Sequence, residues 1–146
     1  MTQSVRRVVT GLDPQGQSCI LFDGPSGMVV WTSDRSPADN SSNADAGDAP
    51  FTFDISEGGT LMATIAFAPD GTTGPMGMHA TDTLDYAVIT SGEITLITET
   101  GETLLRAGDV VVDRGILHAW RNDGPEPCRA VFIFVKADPV GKGATL

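Results

Sequence analysis

The chain has 146 residues, with nineteen acidic against nine basic side chains and a net charge of -10. That is the length of one ordinary domain, enough to bury a sizeable core, and so acidic a balance repels a phosphate backbone, which sets nucleic acid aside as a partner. Cys19 and Cys128 stand far apart without metal-ligand or redox spacing, so they are expected as reduced apolar fillers. With no apolar run long enough for a signal peptide or a bilayer span, the expected location is the cytoplasm, with no membrane partner.

Val5 to Val9 and Ser18 to Phe22 flank the turn-rich segment Leu12–Gly16 and predict two short strands. After the Asp23–Gly27 turn, Met28 to Thr32 is a third strand candidate. Residues 33–50 are mainly Ser, Asp, Asn, Ala and Pro. Such a segment buries too little to offset the entropy of ordering it, so a mobile surface loop is expected; a lid over a pocket mouth is the other use of a long loop. Phe51–Ile55 alternates strictly and Thr60 to Ala68 is a longer apolar run, so both read as strands. The glycine-rich stretch from Pro69 to Gly77 lacks the lysine ending of a phosphate loop.

From Thr83 onward short strands and turns alternate: Thr83–Thr90, Glu93–Thr98, Glu102–Leu105, Asp109–Asp113, His118–Asn122 and Arg129–Lys136. No segment sustains a helical period. The pattern predicts an all-β sandwich or barrel, with a core including Ile65, Ala87, Ile89, Leu96, Val110, Val112, Phe132 and Phe134. Residues 1–146 are expected as one domain, with N-terminal strands and the loop in 1–60 and the barrel core in 61–137.

Both histidines of the chain fall between Gly77 and Asn122. In an extended strand side chains two apart share a face, so His79, Thr81, Thr83 and Asp85 are expected to point the same way. The run from His79 through Thr81 and Asp85 to Gly92, followed by Gly108, Gly115, His118 and Asn122, resembles the two-part signature of the cupins, G-x5-H-x-H-x3,4-E-x6-G and G-x5-P-x-G-x2-H-x3-N. In that alignment His79 takes the first histidine, Thr81 the second and Asp85 the glutamate, while His118 takes the histidine of the second half. Asp113 stands in place of the proline, and the stretch from Gly108 to Asp113 is one residue short.

The resemblance implies a single cupin-type β-barrel of jelly-roll topology with a pocket at one mouth. It also implies a homodimer, paired through sheet edges and N-terminal strands. His79, Asp85 and His118 become the candidate catalytic residues and the candidate ligands of a divalent metal, iron, manganese, nickel or zinc. Thr81 offers a neutral hydroxyl where an imidazole is expected, and Asp85 is one methylene shorter than glutamate, so a metal would be held weakly; a metal-free pocket is the other reading. Thr81, Tyr86, Trp120 and Met78 are the substrate-side candidates, and Met62 and Met76 are further candidates for an apolar mouth. Asp113 and Arg114 read as a solvated turn. The leading function is non-oxidative chemistry, a decarboxylase, dehydratase or isomerase acting on a small organic, aromatic or polyketide-like compound. A metal-dependent dioxygenase and a non-catalytic small-ligand binder are the alternatives.

Overall fold

The computed structural model describes residues 4–140 and 145–146. Ten strands follow one another: β1 (Arg6–Leu12), β2 (Ser18–Pro25), β3 (Val29–Ser33), β4 (Thr60–Phe67), β5 (Thr83–Ser91), β6 (Glu93–Thr98), β7 (Glu102–Arg106), β8 (Val110–Asp113), β9 (His118–Arg121) and β10 (Cys128–Lys136). Among the described residues there is no helix, and none long and apolar enough to cross a membrane. A five-stranded antiparallel sheet in the order β3-β4-β10-β5-β8 and a three-stranded sheet β7-β6-β9 enclose the core, while β1 and β2 form a separate ribbon. This is the expected all-β jelly roll.

Strand β10 shows why the sequence folds this way. Cys128, Ala130, Phe132 and Phe134 all point inward and are buried, alternating with half-exposed neighbours. Large side chains sit beside small ones across the ladder: Phe132 lies between Ala63 and Ala87, and Ala130 between Ile65 and Ile89. That interdigitation lets the inner layer fill at the density of a protein interior. Turns demand glycine where backbone crowds backbone. A side chain on Gly92 would lie 2.6 Å from the Pro127 carbonyl, and one on Gly115 would lie 2.9 Å from that of Thr81, with both residues at positive φ.

Two expectations fail. Phe51–Ile55 makes no strand: the Ile55 N–H bonds back to the Phe53 carbonyl in a local turn. Its alternation instead drops Phe51 and Phe53 edge-on against Phe134, at centroid distances of 6.0 and 5.7 Å. Val110 and Val112 are not core, for they are 69% and 60% exposed on the outer face of β8. The parity of that strand is set by the buried Asp113, which puts Val111 inward with it.

Residues 34–50 carry no strand, and polar contacts tie the segment down. Arg7 grips Asp45 with two bonds of 2.6 Å, Asn43 donates to the Leu12 carbonyl at 2.9 Å, and Thr32 donates to that of Ala46 at 3.1 Å.

Candidate active site

The chain from β4 returns through the 69–77 loop and meets the start of β9 at a single antiparallel bridge, His79 to His118. Each of these residues donates its N–H to the other's carbonyl, at 2.9 and 3.0 Å, so the two side chains leave the same face of the pair. Their rings lie 4.5 Å apart, centroid to centroid. The Nδ1 of His79 is 2.8 Å from the Gly77 carbonyl, and that of His118 is 2.8 Å from the Ile116 carbonyl. A carbonyl can only accept, so each Nδ1 carries a proton, and in the neutral tautomer that this selects each ring presents a bare Nε2.

Behind the imidazoles lie two buried carboxylates, on β5 and β8, at paired positions of the ladder. Asp85 ends a hydroxyl ladder. Thr83 donates to its Oδ1 at 2.5 Å, which uses the one proton of Thr83, so Thr81 must be the donor in its 2.7 Å bond to Thr83. Burial pushes the Asp85 carboxyl up to about 6 from 3.8, with the charge of Asp113 adding to it and the Thr83 bond and His118 opposing. Asp113 accepts the Gly115 N–H on Oδ1 at 3.1 Å. Its Oδ2 lies 3.0 Å from His118 Nδ1 but receives no aligned hydrogen bond, because that N–H is aimed at Ile116. The carboxylate therefore acts on His118 as a nearby charge. Burial, with the neighbouring His118 adding to it, holds the His79 imidazole below its usual 6.5, so the ring is neutral at pH 7 with Nε2 free to take a proton.

His79 also lines a cavity of about 290 Å³ at the barrel mouth, walled by Ile65, Phe67 and Trp120 and roofed by the 69–77 loop with Met76. Trp120 stands edge-on to His118 at 5.8 Å and to Phe132 at 5.6 Å.

The structure thus gathers His79, Thr81, Asp85, His118 and Trp120 into one neighbourhood. Tyr86 and Met78 are not brought there. Tyr86 lies on the opposite face of β5 from Asp85, because neighbouring strand residues face opposite ways, and is exposed; Met78 is exposed beside His79, and Met76 takes the lining position. Asp113 is not the solvated turn that its loop suggested: it is buried, while Arg114 faces water. Its place at the motif's proline was the signal in the sequence.

A metal needs a set of donors converging on one point. Among the described residues no three His, Cys, Asp or Glu side chains are placed to hold an ion. Two imidazole nitrogens are free, Asp85 has one oxygen engaged by Thr83, and the Thr81 hydroxyl is spent in the same ladder; as they stand, His79, Asp85 and His118 are not placed as the expected ligand set.

A jelly roll with paired histidines at one mouth is a barrel of a recognisable class. The sequence profile of the cupin domain matches residues 63–134. A cupin-domain-containing oxidoreductase, srdD of Neurospora crassa, is 30% identical over 94% of this chain and 78% of its own. The chain belongs to the cupin family. Phomopsin biosynthesis cluster protein C' of Diaporthe leptostromiformis is 38% identical over 57% of this chain and 43% of that protein, so this chain matches under half the length of that relative. Among solved structures, a double-stranded β-helix protein from Klebsiella pneumoniae aligns with a TM-score of 0.44 and 23% identity, covering 56% of this chain and 70% of that one.

Proposed function

We propose that this cupin moves protons on a small organic compound of aromatic or polyketide-like character, as a non-oxidative dehydratase, isomerase or decarboxylase. The observation that carries the reading is the pair of imidazoles with Nδ1 tied to backbone carbonyls and Nε2 bare, one of them lining an apolar cavity. His79 is the acid–base group at the cavity wall. His118 stands beside it, Asp113 sets a carboxylate oxygen 3.0 Å from the His118 Nδ1, and the Thr81–Thr83–Asp85 ladder fixes the second carboxyl. Trp120 is the flat wall against which a ring packs. Names among the relatives that refer to biosynthesis clusters agree with a small-molecule substrate.

The test is isotopic: isomerisation and decarboxylation place a solvent proton on carbon, and dehydration does so when the abstracted proton is returned. A small molecule recovered with the purified protein is identified by mass spectrometry and returned in D2O with a chelator. Deuterium should enter the compound with the native protein and not with His79→Ala. Exchange that appears only when iron, manganese, nickel or zinc is restored would sink the proton-transfer reading.

That outcome would favour a second reading, a metal-dependent oxidoreductase or dioxygenase, which draws on the names of several relatives. Oxygen uptake with added ferrous iron is its measurement.

We also place the protein in the cytoplasm, where Cys19 and Cys128 would stay as the free thiols they are. As its partner we propose a second copy of the chain, seated on the outer face of the five-stranded sheet. Val110, Val112, Tyr86 and Val88 form an uncharged exposed cluster there, with Tyr86 paired to Val112 and Val88 to Val110. A chain of net charge -10 meets itself with least repulsion where such charge is absent.

A further inference from the structure

We infer that the cavity takes an uncharged hydroxylic compound, an alcohol, phenol or enol, and turns carboxylates away. The inference rests on the reading of this cavity as the substrate site.

Among the described residues no lysine or arginine lines the cavity, whose walls are mainly hydrocarbon and aromatic. Arg121, next in sequence to the lining residue Asn122, is spent elsewhere: it bonds Asp123 at 2.7 Å and Glu102 at 3.1 Å. Asn122 has no donor left for a carboxylate either. Its amide nitrogen donates to the Phe67 and Glu126 carbonyls, and its oxygen accepts the Gly124 N–H. The one charged group in the lining is an anion, Asp70, whose carboxylate receives the N–H and hydroxyl of Thr72. Two more carboxyls, Asp85 and Asp113, are buried behind the histidines. An incoming carboxylate would lose its water beside an anion with no cation in return, and an unpaired ion is not repaid for that loss.

The hydrogen-bond code selects further. With Nδ1–H given to Gly77, the neutral His79 ring offers an acceptor at Nε2, so the matching ligand is a donor. An uncharged O–H satisfies it and surrenders its proton there. The acceptor-only carboxylate finds no donor on the neutral ring. Of the three non-oxidative reactions, decarboxylation needs the excluded substrate, whereas dehydration and isomerisation act on neutral hydroxylic compounds.

The experiment uses the full chain and one ring system in two forms, 2-naphthol and 2-naphthoate, at pH 7. Binding is read from the NMR signals of the two histidines and of Trp120. Naphthol is expected to shift His79 and Trp120 with a dissociation constant at least tenfold below that of naphthoate. Placing a cation on the roof with Thr73→Arg, an exposed loop position, should raise naphthoate affinity by at least tenfold. Naphthoate binding as tightly as naphthol with the same shifts overturns the inference while leaving the cavity as the ligand site. A Thr73→Arg variant that gains no naphthoate affinity overturns the charge argument. If neither probe moves His79 or Trp120, the cavity reading falls and the inference goes with it.

Discussion

Along β5 and β8 the usual distribution of side chains is inverted between the two faces of the sheet. Inside, the ladder partners Asp85 and Asp113 are 3% and 5% exposed; outside, the partners Tyr86 and Val112 are 43% and 60% exposed. The neighbouring strands behave as a core should, with Phe132, Phe134, Ala130 and Ala63 inward and buried. Burying a carboxyl is unfavourable unless something compensates it, and a cluster of exposed apolar groups on one sheet face marks a surface that meets something. Neither half of the inversion helps an isolated chain to fold. On the function proposed above, the inner half serves chemistry and the outer half association.

The contrast breaks hardest in the ordinary part of the inner face. Phe132 is buried between Ala63 and Ala87 and touches the rings of Phe67, Trp120 and Phe134. Small neighbours cannot close over the gap, so Phe132→Ala should destabilise the fold by about 3–5 kcal/mol, measured by urea unfolding. A loss below about 1 kcal/mol would mean that this layer does not hold the barrel.

Asp85→Asn should act the other way. The folded carboxyl titrates at about 6 against 3.8 for its ordinary value, so the native state binds the proton more tightly than the unfolded chain. Stability from this group is complete below about 3.8 and is lost as pH rises through about 6. A shift of this size corresponds to roughly 2–3 kcal/mol. The amide keeps an acceptor for Thr83 and has no charge to bury, so the variant should be more stable at pH 7 and lose the dependence between pH 4 and 6. Equal stability of the two proteins at pH 7 and pH 4 would show that Asp85 is not held at a cost.

Much of this was legible in the chain. Alternation and turn residues located all ten strands of the described residues from β-branched and apolar runs, and β6 was placed to the residue. The pairing of His79 and His118 followed from motif spacing, because a bridge between two strands is a property of the fold that spacing encodes. What failed was parity and partnership. Val110 and Val112 look like core in a strand of four apolar or acidic residues, and only the inward turn of Asp113 reveals that Val111 is the core member. Phe51–Ile55 has the alternation of a strand but pairs with none: Ile55 bonds back to Phe53, and Phe51 and Phe53 turn their rings against Phe134. The commitment of Asp85 to Thr83 was invisible, because it depends on side-chain reach within a buried strand and not on spacing.

Asp113 sharpens the inner half of the contrast. Its Oδ2 faces His118 at 3.0 Å without an aligned bond, so its service to the fold is the single bond to Gly115. Asp113→Asn keeps an oxygen for that N–H, and folding stability should change by about 1 kcal/mol or less. Deuterium exchange into the bound compound should nevertheless slow, because the negative charge beside His118 is gone while the fold is kept. A variant that melts early yet exchanges at the native rate would assign Asp113 to structure alone.

The smallest effect on folding is expected on the outer face. Val110→Lys together with Val112→Lys adds two cations where the side chains already meet water, and surface changes of this kind stay within about 0.5 kcal/mol. The contrast with Val111 on the same strand is the control, since that side chain packs against the core and Val111→Lys would bury an unpaired charge. If the outer cluster seats a second copy, the double variant should halve the mass seen by light scattering while its melting point at monomer concentrations is unchanged. The position of β8 gives the reason: it ends the five-stranded sheet, so its outer valines border an edge that a partner can cover, and lysines on an edge are a recognised barrier to such pairing. A native protein that is already monomeric at micromolar concentration would remove the association half of the argument and leave the exposed valines without a use.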